Sequence, residues 1–180
     1  MVLLRALSTS VLVAMGLLAA CDVGEVPIGG GGGPDSGVGS AGFTTSCEDR
    51  GTAGTSHEHG AAGGTTHAGE GCIAVGCHLL GQPGGEFTAA GTIYKKDGVT
   101  PNPGAVIRIK SGTKVLIQVS ETAGTFHFGP TQQITFPTIT DVSGCPDHTS
   151  MVGKLTTGGG NCSGGACHSA AAQGPIKGLN

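Results

Sequence analysis

One stretch of this chain can build a core, and its pattern is that of strands. Residues 87–142 contain FTAAGTIY, AVIRIK, KVLIQVS, TFHF and ITFPTIT, short β-branched runs separated by KDGVTPNPG, SGT, ETAG and GPTQ. AVIRIK and VLIQV alternate with the period of two that half-buried strands need, and each break carries turn-forming residues. The stretch therefore predicts five to seven strands of a small β-sandwich. Residues 47–86 and 143–180 are rich in Gly, Ala, Thr and Ser with no sustained period, so they are expected to be irregular. With 36 glycines, five Phe, one Tyr and no Trp in 180 residues, ordinary side chains cannot supply much more core. Small exported domains in this position add disulfides, metals or a cofactor. The expected fold class is mainly β, with one sandwich between two irregular Gly-rich segments.

The order GTIYKKDGVTPNPGAVIRIKSGTKVLIQVSETAGTFHF resembles the carboxypeptidase regulatory-like domain, a transthyretin-like sandwich. The residues that carry the likeness are Gly91, Pro101, Pro103, Gly104, Ala105, Gly124 and Phe126. It covers about 55 residues of the chain. The resemblance implies a fold and a spacer or adhesive role, and no chemistry.

The N-terminus reads as an address. Met1 to Arg5 is a short basic start and Leu12 to Ala20 an apolar run too short to stay as a membrane span. Leu18-Ala19-Ala20-Cys21 resembles a bacterial lipobox, which implies a signal over residues 1–20 and acylation of Cys21. The alternative is an ordinary signal cut near Ala20 that leaves Cys21 a spare thiol. Two acyl chains suffice for stable anchoring. Residues 21–46, with five consecutive glycines, cannot support a core and read as a disordered tether. Its root-mean-square span is roughly 25–30 Å. The expected location is the cell envelope, on the periplasmic or the outer-membrane and cell-surface side. Loss of Arg5 with the signal leaves 8 basic against 12 acidic residues, a mild −4. No basic patch interleaved with aromatics is present, which argues against a nucleic-acid partner.

The chemistry sits in the flanks. GEGCIAVGCHLL places Cys72 and Cys77 before His78, and GGNCSGGACHSA places Cys162 and Cys167 before His168. The segments look like diverged copies: Cys47-Glu48-Asp49 matches Cys145-Pro146-Asp147, and Gln82-Pro83 has an echo in Gln173-Gly174-Pro175. Two thiols followed at once by a histidine suit covalent haem, the thiols forming thioethers with two vinyl groups and the histidine reaching the iron. The usual spacer is two residues; both copies here use four. Three other readings stand beside haem. Each cysteine pair could be a disulfide, which leaves two adjacent histidines as coincidence. Structural zinc uses similar cysteine pairs, but neighbouring side chains diverge and serve one tetrahedral ion poorly. A redox dithiol belongs at a helix start in a βαβ setting, which this chain lacks.

The pattern resembles the small CxxxxCH proteins among exported multihaem cytochromes of electron-exporting bacteria, over roughly 70 residues in the two motif segments. The resemblance implies two covalent haem c groups, with His78 and His168 as proximal ligands. Candidate distal ligands are His57, His59 or His67 for the first site and His148 or Met151 for the second. His127, in TFHF, is either a core or edge histidine or a ligand inserted from the sandwich. Unassigned histidines outnumber late methionines, which favours two imidazoles per iron. His57-Glu58-His59 could instead bind zinc or copper. Of seven cysteines, removal of Cys21 and the four thioether candidates leaves Cys47 and Cys145, which can pair with each other or between molecules.

These readings describe a lipid-anchored dihaem electron carrier; with both axial positions filled no catalysis is expected, whereas an open iron position would admit an enzyme. Its partners would be the membrane, through the anchor, and other redox proteins or like molecules. Sites at opposite ends of the sandwich would suit a row of molecules passing electrons along. The opposed reading is a non-haem, disulfide-stapled surface lipoprotein with a structural or adhesive role. No Ser-His-Asp arrangement, phosphate loop or paired-carboxylate site competes with either.

Overall fold

The computed structural model describes residues 43, 47–56, 67–82, 84–151, 154–156, 160–164, 168 and 174–178. Seven strands follow in chain order: β1 Ala89–Tyr94, β2 Val106–Ser111, β3 Lys114–Val119, β4 Thr125–Phe128, β5 Ile139–Gly144, β6 Asp147–Ser150 and β7 Ile176–Lys177. They form two sheets, ordered β4-β1-β7 and β3-β2-β5-β6. Every pairing is antiparallel except β1 with β7. Among the described residues there is no helix, and so none long and apolar enough to cross a membrane.

The fold is mainly β, as the alternating runs predict; β1, β3 and β4 fall within them, and β2 passes the end of AVIRIK by one residue, Ser111. β2 and β3 are joined by a two-residue turn whose first position is Gly112, φ 61°, where such hairpins demand glycine. ITFPTIT does not become one strand. Pro137 cannot donate to a ladder, so β5 starts beyond it at Ile139 and runs on to Gly144. A boundary at residue 142 therefore cuts β5. The segment from 143, expected to be irregular, supplies β6 and β7 as well. Asp147-His148-Thr149-Ser150 has no β-branched run, and it becomes a strand because the edge of β5 offers it a ladder.

The two sheets share one core. Ala89 and Ile93 of β1, Phe126 and Phe128 of β4, Ile107 and Ile109 of β2, Val142 of β5, Ala105 and Cys162 form a single buried cluster. Full burial of an Ile or Phe contributes about 1.5–3 kcal/mol. The opposite face of the larger sheet holds a buried charge pair. Arg108 and Asp141 are register partners on β2 and β5, with Nε 2.8 Å from Oδ1. The Arg108 guanidinium lies 4.6 Å from the centroid of the Phe43 ring, and Glu48 Oε1 is 3.7 Å from Nη1. Removal of either member of such a pair costs about 3–5 kcal/mol.

Residues 47–56 are tied to the sandwich rather than to either motif. Glu48 exchanges bonds with β5 and its end: its N–H donates to Ser143 Oγ at 2.6 Å, and its carbonyl accepts from Cys145 N–H at 2.9 Å. Gly51 N–H donates to the Gly104 carbonyl. Cys47 and Cys145 form a disulfide across a sequence separation of 98. Closing a loop of that length is worth about 4–5 kcal/mol in the chain-entropy model. Cys145→Ala is expected to lower unfolding stability by about 2–5 kcal/mol, read from urea transitions against the oxidised parent.

The turn after β1 is held by Asp97, whose carboxylate accepts from Val99 N–H at 2.8 Å, Thr100 N–H at 2.9 Å and the Thr100 hydroxyl. The Thr100 hydroxyl first, then these two amides, pull the carboxyl from 3.8 down to about 2. Because the folded value is depressed, the contribution is complete above the ordinary carboxyl range and is lost as pH falls through about 2. A carboxyl NMR titration of Asp97 should show a midpoint near that value, and a midpoint near 3.8 would contradict this turn geometry.

Candidate functional site

Both cysteine-histidine motifs lie on the flank of β1, and they close in the same way. In the first, the His78 amide donates to the Cys72 carbonyl at 3.2 Å; in the second, the His168 amide donates to the Cys162 carbonyl at 3.1 Å. Each imidazole is then turned by its Nδ1. His78 Nδ1 lies 3.0 Å from the Gly85 carbonyl and His168 Nδ1 lies 3.1 Å from the Gly174 carbonyl. A carbonyl only accepts, so Nδ1 carries the proton and the lone pair sits on Nε2. Metal-ligating histidines are oriented in this manner, through the nitrogen that does not bind the metal. Burial holds the His168 imidazole below the usual histidine range, the Gly174 carbonyl opposing it, which favours the neutral form.

Small residues in β1 make the docking possible. The second motif pairs with its backbone: Ala90 N–H donates to the Gly160 carbonyl and Cys162 N–H to the Ala90 carbonyl, both at 2.9 Å. Thr92 N–H donates to Ser163 Oγ at 2.9 Å. A Cβ on Gly91 would stand 3.0 Å from both Cys162 Cβ and Phe126 Cε1, so only glycine admits both side chains without displacement. The first motif reaches the same strand through Gly69 N–H to Thr92 Oγ1 at 2.8 Å, and the two motifs touch where Asn161 Nδ2 donates to the Ile73 carbonyl at 3.1 Å. The sites therefore lie side by side. Placement at opposite ends of the sandwich is corrected: the parallel return of the chain along β1 brings residues 160–164 back to the first motif.

Two clefts accompany the motifs. The first, about 130 Å³, is lined by Cys72, Cys77 and His78, by Phe87 and Phe126, and by the candidates His67 and His127. Phe87 lies flat on His78, ring centroids 3.8 Å apart, and also stacks on His127 at 4.5 Å. His127 thus faces this cleft from β4, with Nδ1 3.4 Å from Glu121 Oε1, while His67 Nδ1 lies 2.9 Å from Glu70 Oε2. The second cleft, about 120 Å³, is lined by Cys162, His168 and Met151 among Ile93, Ile107 and Phe126. Phe126 is a wall of both clefts. His148 does not line the second: its Nδ1 is 3.1 Å from Asp141 Oδ2, on the outer face with Arg108. Cys21, His57, His59 and Cys167 lie outside the described residues.

The thiols differ sharply in access. Cys77 is exposed, Cys72 half-buried, and Cys162 is 3% exposed within the core cluster. Burial, then the neighbouring Cys77 thiol, raises the Cys72 pKa; burial, then Cys72, pushes Cys162 up to about 12. Cys72 and Cys77 are free thiols, so the first motif is not closed by its own disulfide. Among the described residues no group of three or more His, Cys, Asp or Glu is arranged to hold a metal ion. Sequence reading missed Phe87, Phe126 and the two glycine carbonyls. The echo of Gln82-Pro83 in Gln173-Gly174-Pro175 was the available signal, because Gly174 stands in the second segment and Gly85 two residues after the first.

Compared with family models, curated proteins and solved structures, the chain matches none. Function is therefore argued from the geometry. In chain carrying no covalent modification, Cys77 should alkylate first at neutral pH, Cys72 more slowly, and Cys162 only when the core opens. Mass mapping of a timed alkylation checks this order, and early labelling of Cys162 would contradict its place in the core.

Proposed function

We propose that the chain is a lipid-anchored dihaem c-type cytochrome that carries single electrons in the cell envelope. The observation that carries the reading is the repeated closure of the two motifs. In each, the histidine amide is bonded to the first cysteine's carbonyl, and Nδ1 is committed to a glycine carbonyl. A loop that served only as a disulfide staple has no need to orient an imidazole, and neither pair's first cysteine is in a disulfide.

The donor chemistry fits haem. Cys72 and Cys77 are thiols on the rim of one cleft, Cys162 is a thiol in the wall of the other, and Phe87, Phe126, Ile93 and Ile107 supply apolar walls. Thr140 Oγ1, in the second cleft, and Asn161 Oδ1, between the loops, are buried with no hydrogen-bond partner, as atoms beside a missing group often are. The enclosed space is smaller than the roughly 300–1,000 Å³ of ordinary ligand pockets, so a macrocycle has to sit largely at the mouths, where Cys77 is exposed. When bound, haem supplies a one-electron iron couple. The chain's own part is to fasten it at Cys72 and Cys77 and at Cys162 and Cys167. Nε2 of His78 and of His168 would be the nitrogens left for the iron, with Phe87, Phe126, Ile93 and Ile107 lining the clefts. Because Cys162 is 3% exposed once folded, attachment there would precede its burial.

Donor and acceptor would be other redox proteins or further copies of the chain, with Cys21 holding it to the membrane. A structural spacer lipoprotein is the second reading, favoured by the contact of Phe87 with His78 and by the tight clefts. A pyridine-haemochrome assay on protein matured with c-type attachment machinery separates them. Two haems per chain are expected, falling to one in Cys72→Ala/Cys77→Ala and to one in Cys162→Ala/Cys167→Ala. Colourless protein of the correct fold would leave only the spacer.

A further inference from the structure

We infer that the two sites are unlike: Met151 is the second ligand at the C-terminal site, while the N-terminal cleft offers no thioether. The inference rests on the haem reading and goes beyond it by assigning a ligand and an order of potentials.

Strand alternation decides between the two C-terminal candidates. In the ladder of β5 with β6, Ser143 faces His148 and Asp141 faces Ser150, while Val142 faces Thr149. Side chains at alternate positions share a face, so His148 falls with Ser143 and Asp141, and Thr149 and Met151 fall with core residue Val142; Asp141 and Ser150 also border the second cleft, whereas His148 does not. The bonds agree. His148 Nδ1 and the Ser150 hydroxyl both engage Asp141 Oδ2, and Asp141 Oδ1 is held by Arg108. The Met151 amide donates to the Thr140 carbonyl at 2.9 Å, which fixes its backbone beside the cleft that Cys162 and His168 line. The described lining of the first cleft contains no methionine; its further donors are His67 and His127 and the carboxylates of Glu70 and Glu121.

A thioether favours ferrous iron more than imidazole does, so a His/Met pair gives the higher potential. The reducing electron then rests at the C-terminal site, and Phe126, a wall of both clefts, stands between the two. Met1 and Met15 lie in the expected signal and Met151 is the remaining methionine of three, so any methionine ligation within the chain must come from it.

The test uses the full chain matured with haem, its content checked by haemochrome. The oxidised protein should show the weak near-infrared absorption of sulfur-ligated ferric haem, and its redox titration should resolve two components. Met151→Leu should abolish that absorption and lower the upper component alone. Met151→His should abolish it while both haems stay low-spin. His148→Gln should leave the absorption and both components in place. Two haems per chain with no such absorption, or absorption that survives Met151→Leu, overturns the assignment and leaves the dihaem reading standing. A chain that matures without haem sinks both, and the haemochrome assay distinguishes that outcome from the first.

Discussion

The second edge of β1 is the feature on which the rest of this molecule depends. One edge of that strand pairs with β4 inside an ordinary ladder. Along the other edge the chain returns from far away, first as residues 160–162 bonded at Ala90 and then as β7 paired with Ile93 and Tyr94. An uncovered edge is a row of unpaired donors and acceptors that invites other chains. Here it is covered by the segment that carries the second motif, so satisfying the sheet and placing the site are the same event. The residues that permit this are the smallest in the strand, Ala89, Ala90 and Gly91, all buried.

From that edge follows the closeness of the two motifs. The first stands at the entrance to β1, with the His78 carbonyl accepting from Phe87 N–H, and the second lies beside the strand itself. Asn161 and Ile73 join them, and Phe126 borders both clefts. Under the proposed reading, this makes one compact two-centre unit instead of two separated stations. Under that reading, electron exchange between centres that share one aromatic wall would be a property of the single chain. Passage between molecules becomes a second question, governed by what reaches the exposed first loop, where Val75 is 82% and Leu80 72% exposed.

The described parts of the Gly-rich flanks are held to the sandwich by discrete ties. The disulfide of Cys47 with Cys145, the contacts of Glu48 with Ser143 and Arg108, and the ladders of β6 and β7 fasten about a hundred residues of sequence separation to one small sandwich. Such ties compensate for the near absence of large side chains. They also explain why Arg108 and Asp141 tolerate burial: Arg108 meets Asp141, Glu48 and the Phe43 ring, and Asp141 meets Arg108, His148 and Ser150.

Local pattern in the sequence determined the strands β1 to β4, the hairpin at Gly112, the mainly β class and the two Cys-x4-Cys-His loops, because period-two alternation, turn chemistry and motif spacing act between near neighbours. It could not show that residues 147–150 form a strand, since their own propensity is poor and the ladder is supplied by β5. Nor could it show that His148 turns outward to Asp141 while Met151 turns inward, because that choice depends on register with a partner strand. Above all, the sequence placed the motifs on either side of the sandwich in chain order, whereas the tertiary structure set them together. The reason is physical: an unpaired edge of β1 and a glycine at 91 make room for Cys162, and nothing in the linear spacing of residues 72 and 162 encodes that contact.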